Sequence, residues 1–130
     1  MNNLFAIGIP TVNRADLLAE ALSVYKDKYP NTVIEILDNG KQDIQSHMED
    51  MKLFVAESIR NLGVAASWNV LCRRIFYKWN IPYAMILNDD IVASGDEKGM
   101  LEMIQYGSWV KVDWGKPGFY KSTKEWSFFI

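Results

Sequence analysis

The stretch Tyr83-Ala84-Met85-Ile86-Leu87-Asn88-Asp89-Asp90-Ile91-Val92 decides how the chain is read. An apolar run arrives at a side-chain amide and two adjacent carboxylates, then turns apolar again. A strand buried on both faces reads this way, with its carboxyl end opening into solvent. In open α/β sheets, ligands bind outside the carboxyl ends of the strands. Two carboxylates and an amide at such a spot suit a hard divalent cation, which takes oxygen ligands. A cation there could hold phosphates and take up charge on a leaving group. The same residues also suit a plainer alternative, a solvated loop that begins at Asp89 and Asp90, so the rest of the chain has to arbitrate.

The segment just before this strand is helical in pattern. Ala65, Trp68, Leu71, Cys72, Ile75, Phe76 and Trp79 fit one broad apolar face, and Asn80-Ile81-Pro82 ends it. Its opening residues Ala65, Ala66 and Ser67 are small and allow close approach of another backbone or a ligand. The polar loop Glu57-Ser58-Ile59-Arg60-Asn61-Leu62-Gly63 leads into it. Asn69 lies inside this helix and faces a site or bonds a neighbouring loop, while Arg73 and Arg74 read as a solvated face.

The amino-terminal half repeats the same alternation. Leu4 to Pro10 reads as a buried strand stopped by proline. Asn13 is a good N-cap, with Asp16 three residues on, for a helix whose apolar face is Leu17, Leu18, Ala21, Leu22 and Tyr25. Tyr29-Pro30-Asn31 breaks it. Val33 to Leu37 is a second strand ending in the turn signal Asp38-Asn39-Gly40. A short polar helix over roughly 43–51 and a third strand, Leu53 to Ala56, follow. Strand and helix thus alternate up to the acidic strand, which predicts a mostly parallel α/β sheet with helices on both faces. Its carboxyl edge should collect Thr11, Asp38, Asn61, Asn88, Asp89 and Asp90.

Beyond Val92 the pattern predicts a helix carrying Met100, Leu101, Met103, Ile104 and Tyr106, a strand over Trp109 to Trp114, a turn at Gly115-Lys116-Pro117-Gly118, and a strand-like end from Glu125 to Ile130. The 130 residues, 49% of them hydrophobic, suffice for one core without staples. A net charge of −2 gives no support to a nucleic-acid partner. Single copies of Cys72 and His47 leave no internal disulfide and no thiolate or multi-histidine metal site. The start Met1-Asn2-Asn3 lacks the basic region of a signal peptide, and no segment is long and apolar enough for a transmembrane span. A cytoplasmic protein is expected.

Four pieces, in order, resemble the nucleotide-sugar-binding half of a family 2 glycosyltransferase of the GT-A fold. Ile9-Pro10-Thr11-Val12-Asn13-Arg14 resembles the family's first strand and turn. Ile36-Leu37-Asp38-Asn39-Gly40 resembles its second-strand acidic turn. Arg60 to Asn69 resembles its Asn-x-Gly segment and following helix, and Leu87-Asn88-Asp89-Asp90 its Asp-x-Asp metal motif. The resemblance spans roughly Leu4 to Val92. It implies a GT-A-like, Rossmann-like fold in one domain, 1–130, with residues 1–92 as the nucleotide-sugar-binding core and 93–130 as the remnant of a truncated acceptor half.

The function implied is transfer of a sugar from a nucleoside-diphosphate sugar, of UDP or dTDP type, to a glycan, lipid or protein acceptor, with Mn²⁺ or Mg²⁺. Pro10, Thr11 and Asn13 would belong to the base and ribose site. Asp38, as an acceptor-only carboxylate, would take the ring N–H of the base. Arg60 and Asn61 would lie near ribose or phosphate. Asn88 and Asp89 would face the donor, and Asp90 with Asp89 the metal. Asn88 in the first acidic position removes one charge from the site. Asp96, Asp113 and Glu125 are acidic residues of the remainder, and none sits in a motif that assigns a catalytic base. Two other readings remain open. One is a non-catalytic GT-A-like module completed by a partner chain or a homo-oligomer. The other is a receiver-like signalling domain, which shares the acidic strand ends.

Overall fold

In the computed structural model, residues 2–40, 44, 54–57, 61–89, 95–105 and 118–121 are described. In chain order they form β1 (Phe5–Thr11), α1 (Ala15–Lys28), β2 (Ile34–Asp38), β3 (Phe54–Glu57), α2 (Val64–Arg73), a π-helical turn (Arg74–Lys78), β4 (Tyr83–Ile86), α3 (Glu97–Gln105) and β5 (Gly118–Lys121). The strands make one sheet in the order β3-β2-β1-β4-β5. The first four run parallel, and β5 pairs antiparallel with β4 at the edge. This is the mostly parallel sheet expected, and its order differs from the 2-1-3-4-5 order of a receiver domain.

The period-2 alternation of strands sorts the core into two layers. Phe5, Ile7 and Ile9 of β1, Ile34 and Ile36 of β2, and Met85 of β4 face Leu18, Ala21, Leu22 and Tyr25 of α1, with Ile104 of α3 joining them. Ala6, Leu37, Ala84 and Ile86 face the other way, against Trp68, Leu71 and Cys72 of α2 and Ile75 and Phe76 of the π turn. Helices therefore cover both faces. At Gly8, α2 comes close to the sheet. A Cβ there would lie 2.8 Å from Ile86 Cδ1 and 3.3 Å from Leu71 Cβ.

Several local expectations are corrected. Asn13 does not cap α1. Its φ of 53° is left-handed, a conformation Asn tolerates. Arg14 takes the N-cap position without a side-chain cap bond. Leu17 is 44% exposed, so the apolar face of α1 is narrower than its sequence suggests.

Arg74 is not solvated. Its Nε donates to Glu35 at 2.8 Å, and Trp79 Nε1 donates to the same fully buried carboxylate at 2.6 Å. The i→i−5 bond from Trp79 N–H to Arg74 C=O, at 3.2 Å, explains the pairing. A π turn brings residues five apart toward one face, which an α-helix would separate.

Gly118 opens β5, and the rest of the turn expected at 115–118 lies outside the described residues. The helix predicted at 43–51 is described at Ile44 alone, which is helical and buried. The strands expected at 109–114 and 125–130 lie outside the described residues. No helix among the described residues is long and apolar enough to cross a membrane.

Candidate functional site

The strand order sets where a ligand can sit. After β1 the chain winds outward through β2 and β3, then returns to place β4 on the opposite side of β1. The reversal leaves a crevice beyond the carboxyl ends of β1 and β4, because the connections after them leave in different directions. Thr11 closes β1, in register with Asp38 of β2, which is in register with Glu57 of β3. Leu87 N–H donates to Gly8 C=O at 3.0 Å, carrying the β4–β1 pairing one residue past β4. Asn88 and Asp89 consequently emerge beside Thr11.

A cavity of about 430 Å³ occupies this crevice. Pro10, Thr11, Val12, Arg14, Asn88 and Asp89 line the side built from β1 and β4. Asn39, Asn61, Gly63, Ser67 and Trp68 line the side built from β2 and α2. Its volume is in the range of small-molecule sites.

On the first side, the Asp89 carboxylate is 5% exposed and engaged through both oxygens. Thr11 Oγ1 donates to Oδ2 at 2.9 Å, and Arg14 Nη1 donates to Oδ1 at 3.3 Å. The left-handed turn at Asn13 sets the direction in which Arg14 leaves the chain.

On the second side, Asn39 Nδ2 donates to Ser67 Oγ at 2.8 Å, and Ser67 Oγ donates to Gly63 C=O at 2.5 Å. Asn39 Oδ1 accepts from Leu62 N–H at 3.3 Å. One amide side chain thus holds the β3–α2 loop against the end of β2. Gly63, at φ 80°, makes the left-handed turn into α2 that only glycine adopts without strain. Asn61 Oδ1 accepts from Gly63 N–H at 3.0 Å, bracing the same turn.

The structure brings together Pro10, Thr11, Asn61, Asn88 and Asp89 of the residues expected from sequence. Asp38 is fully buried, does not line the cavity, and accepts from Gly40 N–H at 2.9 Å. Asn13 is exposed beside Gly40 and also does not line it. Arg60 and Asp90 lie outside the described residues. Asn69 is half-buried, and its Oδ1 has no hydrogen-bond partner among the described residues.

The sequence pattern presented Ser67 as a small residue open to a ligand but did not mark Arg14, Asn39 and Trp68 as part of the site. Arg14 was legible only as the residue after a turn, and Asn39 only as a turn former. Asp96 is the N-cap of α3, its Oδ1 accepting from Gly99 N–H at 2.8 Å. Asp113 and Glu125 lie outside the described residues.

The amide and carboxylate oxygens of Asn88 and Asp89 are the type a hard cation takes, so this corner fits such an ion in kind. Among the described residues, no three His, Cys, Asp or Glu side chains converge. Asp90 is the further donor that the motif offers.

The same fold occurs in solved glycosyltransferase structures. The chain is similar to the mannosyltransferase PcManGT of Pyrobaculum calidifontis, a structure in complex with GDP-Man and Mn²⁺, with a TM-score of 0.54 and 20% identity over 70% of this chain and 28% of that one. It is similar to residues 1–349 of S. aureus TarS, with a TM-score of 0.62 and 13% identity over 81% of this chain and 32% of that one. A further TarS structure matches with a TM-score of 0.64 and 16% identity, covering 81% of this chain and 20% of that one. The chain thus spans a third or less of the length of these structures. No family model and no curated protein matches the sequence. The GT-A-like fold expected from the motifs is the fold observed.

Proposed function

We propose that this chain binds the donor of a glycosyltransferase reaction, a nucleoside-diphosphate sugar of UDP or dTDP type, with a divalent metal such as Mn²⁺ or Mg²⁺. The observation that carries this reading is the cavity at the switch point of a GT-A-like sheet, into whose lining Thr11, Asn61, Asn88 and Asp89 bring polar side chains. The fold is shared with a mannosyltransferase whose structure holds a nucleotide sugar and Mn²⁺.

In this reading Pro10, Thr11 and Val12 line the base and ribose side. Asp38 shapes that side through the turn it holds at Gly40, and Asn39 and Asn61 present amides to the donor. The amino end of α2 borders the cavity at Gly63 and Ser67, which favours an anionic group there. Asn88 and Asp89 form the corner for the diphosphate and the metal, and Asp90 of the same motif is the further metal ligand. A bound divalent cation would neutralise the diphosphate and stabilise the departing nucleoside diphosphate. The acceptor would be a glycan, lipid or protein.

Titration calorimetry with UDP, dTDP and GDP, with and without Mn²⁺, tests the reading. The expected result is Mn²⁺-enhanced binding of one nucleoside diphosphate, with the enhancement lost in Asp90→Ala. A folded protein that binds none of them under either condition overturns it.

A further inference from the structure

Asp89 lies in the corner assigned to metal and diphosphate, yet its geometry describes a different task. It is almost fully buried, and both of its oxygens already accept bonds, from Thr11 at 2.9 Å and from Arg14 at 3.3 Å. Two of its roughly four acceptor sites are thus committed to protein donors, and its burial limits what the others can reach. Arg14 is its counterpart, half exposed and lining the same cavity. Among the described residues that line the cavity, Arg14 is the sole cation. Three constraints aim it: the left-handed turn at Asn13, its N-cap position at the start of α1, and the ion pair to Asp89. Planar guanidinium groups bind phosphate oxygens through paired N–H donors, and an arginine held in place loses less freedom on doing so.

We propose that Arg14 is the fixed cation of this site and binds the diphosphate of the donor, and that Asp89 is the positioning residue that holds Arg14, leaving the metal to Asp90. The inference rests on the donor-site reading above and adds a metal-independent component to it. Nucleoside diphosphate binds in two separable increments, one from Arg14 that persists without metal and one from the cation that depends on Asp90.

The test is calorimetry of the whole chain with UDP, dTDP and GDP, in EDTA and in Mn²⁺, on the wild type and on Arg14→Ala, Arg14→Lys, Asp89→Asn and Arg14→Ala/Asp89→Asn. Thermal melts confirm that each variant folds. The wild type is expected to bind in EDTA, more weakly than in Mn²⁺. Arg14→Ala lowers the affinity in EDTA by roughly ten- to a hundredfold, the scale of a lost charge-assisted contact, and Arg14→Lys restores part of it. In Arg14→Ala the Asp89 charge has lost its counter-ion and repels the diphosphate, so adding Asp89→Asn recovers several-fold.

The ratio of affinities with and without Mn²⁺ stays near the wild-type value in Asp89→Asn. Loss of that ratio in Asp89→Asn makes Asp89 a metal ligand and overturns the inference. So does an Arg14→Ala variant within twofold of wild type in EDTA, or a wild type that binds only with Mn²⁺. Failure of the wild type to bind in both conditions overturns the donor-site reading itself, which separates the two failures.

Discussion

Glu35 shows how much a single side chain can carry. It is fully buried in β2, where a charge is costly unless paired and hydrogen-bonded. Arg74 and Trp79 supply the bonds, with Lys78 at 3.9 Å. Replacing Glu35 by Ala leaves the half-buried guanidinium without its acceptor, and is expected to cost about 3 kcal/mol, read as a lower urea midpoint at unchanged slope. Cys72 is equally buried, and burial pushes its thiol up to about 12. Since the thiolate is the reactive form, the native protein should resist alkylation at neutral pH and react once denatured.

Tyr29 gives a pH signature. Burial foremost, then the neighbouring Tyr25, Asp96 and Glu97, raise its phenol from 10.0 to about 12. A proton bound more tightly in the folded than in the unfolded chain contributes stability that is complete below pH 10 and lost as pH rises toward 12. Cys72 adds a loss of the same sign between pH 9.0 and about 12. Urea midpoints should therefore fall across this alkaline window, and Tyr29→Phe should remove its share of the fall.

Among the elements, α2 sits so close to β1 that Gly8 has no room for a methyl group without shifting Ile86 and Leu71. Gly8→Ala should destabilise by about 1–3 kcal/mol through overpacking, measured by thermal or urea unfolding. Helix α3 depends on local chemistry. Asp96 caps its first turn, and the Glu97 carboxylate accepts from Asn31 N–H at 2.9 Å and Thr32 Oγ1 at 2.8 Å. Tyr29 Oη donates to Gly95 C=O at 3.1 Å, pinning the chain two residues before the helix. Asp96→Ala should cost about 1 kcal/mol, the usual worth of an N-cap. That loss should leave nucleotide affinity unchanged, because α3 lies away from the cavity lining.

For the molecule as a whole, the donor-site reading predicts linkage between binding and folding. A nucleoside diphosphate with Mn²⁺ at about a hundred times its Kd should add about 2.7 kcal/mol of stability. For a domain of this size that raises Tm by roughly 10 °C. A shift of under 1 °C at saturating concentration would mean that the native state holds no such site.

The alternation of strands and helices was legible in the sequence, because the apolar periods of 2 and 3.6 are properties of the chain itself. So were the turns at Asp38-Asn39-Gly40 and Asn61-Leu62-Gly63, whose residue types have few other uses, and the placing of Thr11, Asn88 and Asp89 at strand ends. Tertiary structure alone decided what depends on residues far apart in sequence. It decided the strand order that opens the crevice, the burial of Glu35 under Arg74 and Trp79, and the bridge that Asn39 makes to Ser67. It also decided the pairing of Arg14 with Asp89, which lie 75 residues apart. Local pattern fixes which face of an element is apolar. It does not say which charged side chain from another element will meet that face, because that meeting depends on the sheet's order and on the angle at which each connection leaves it.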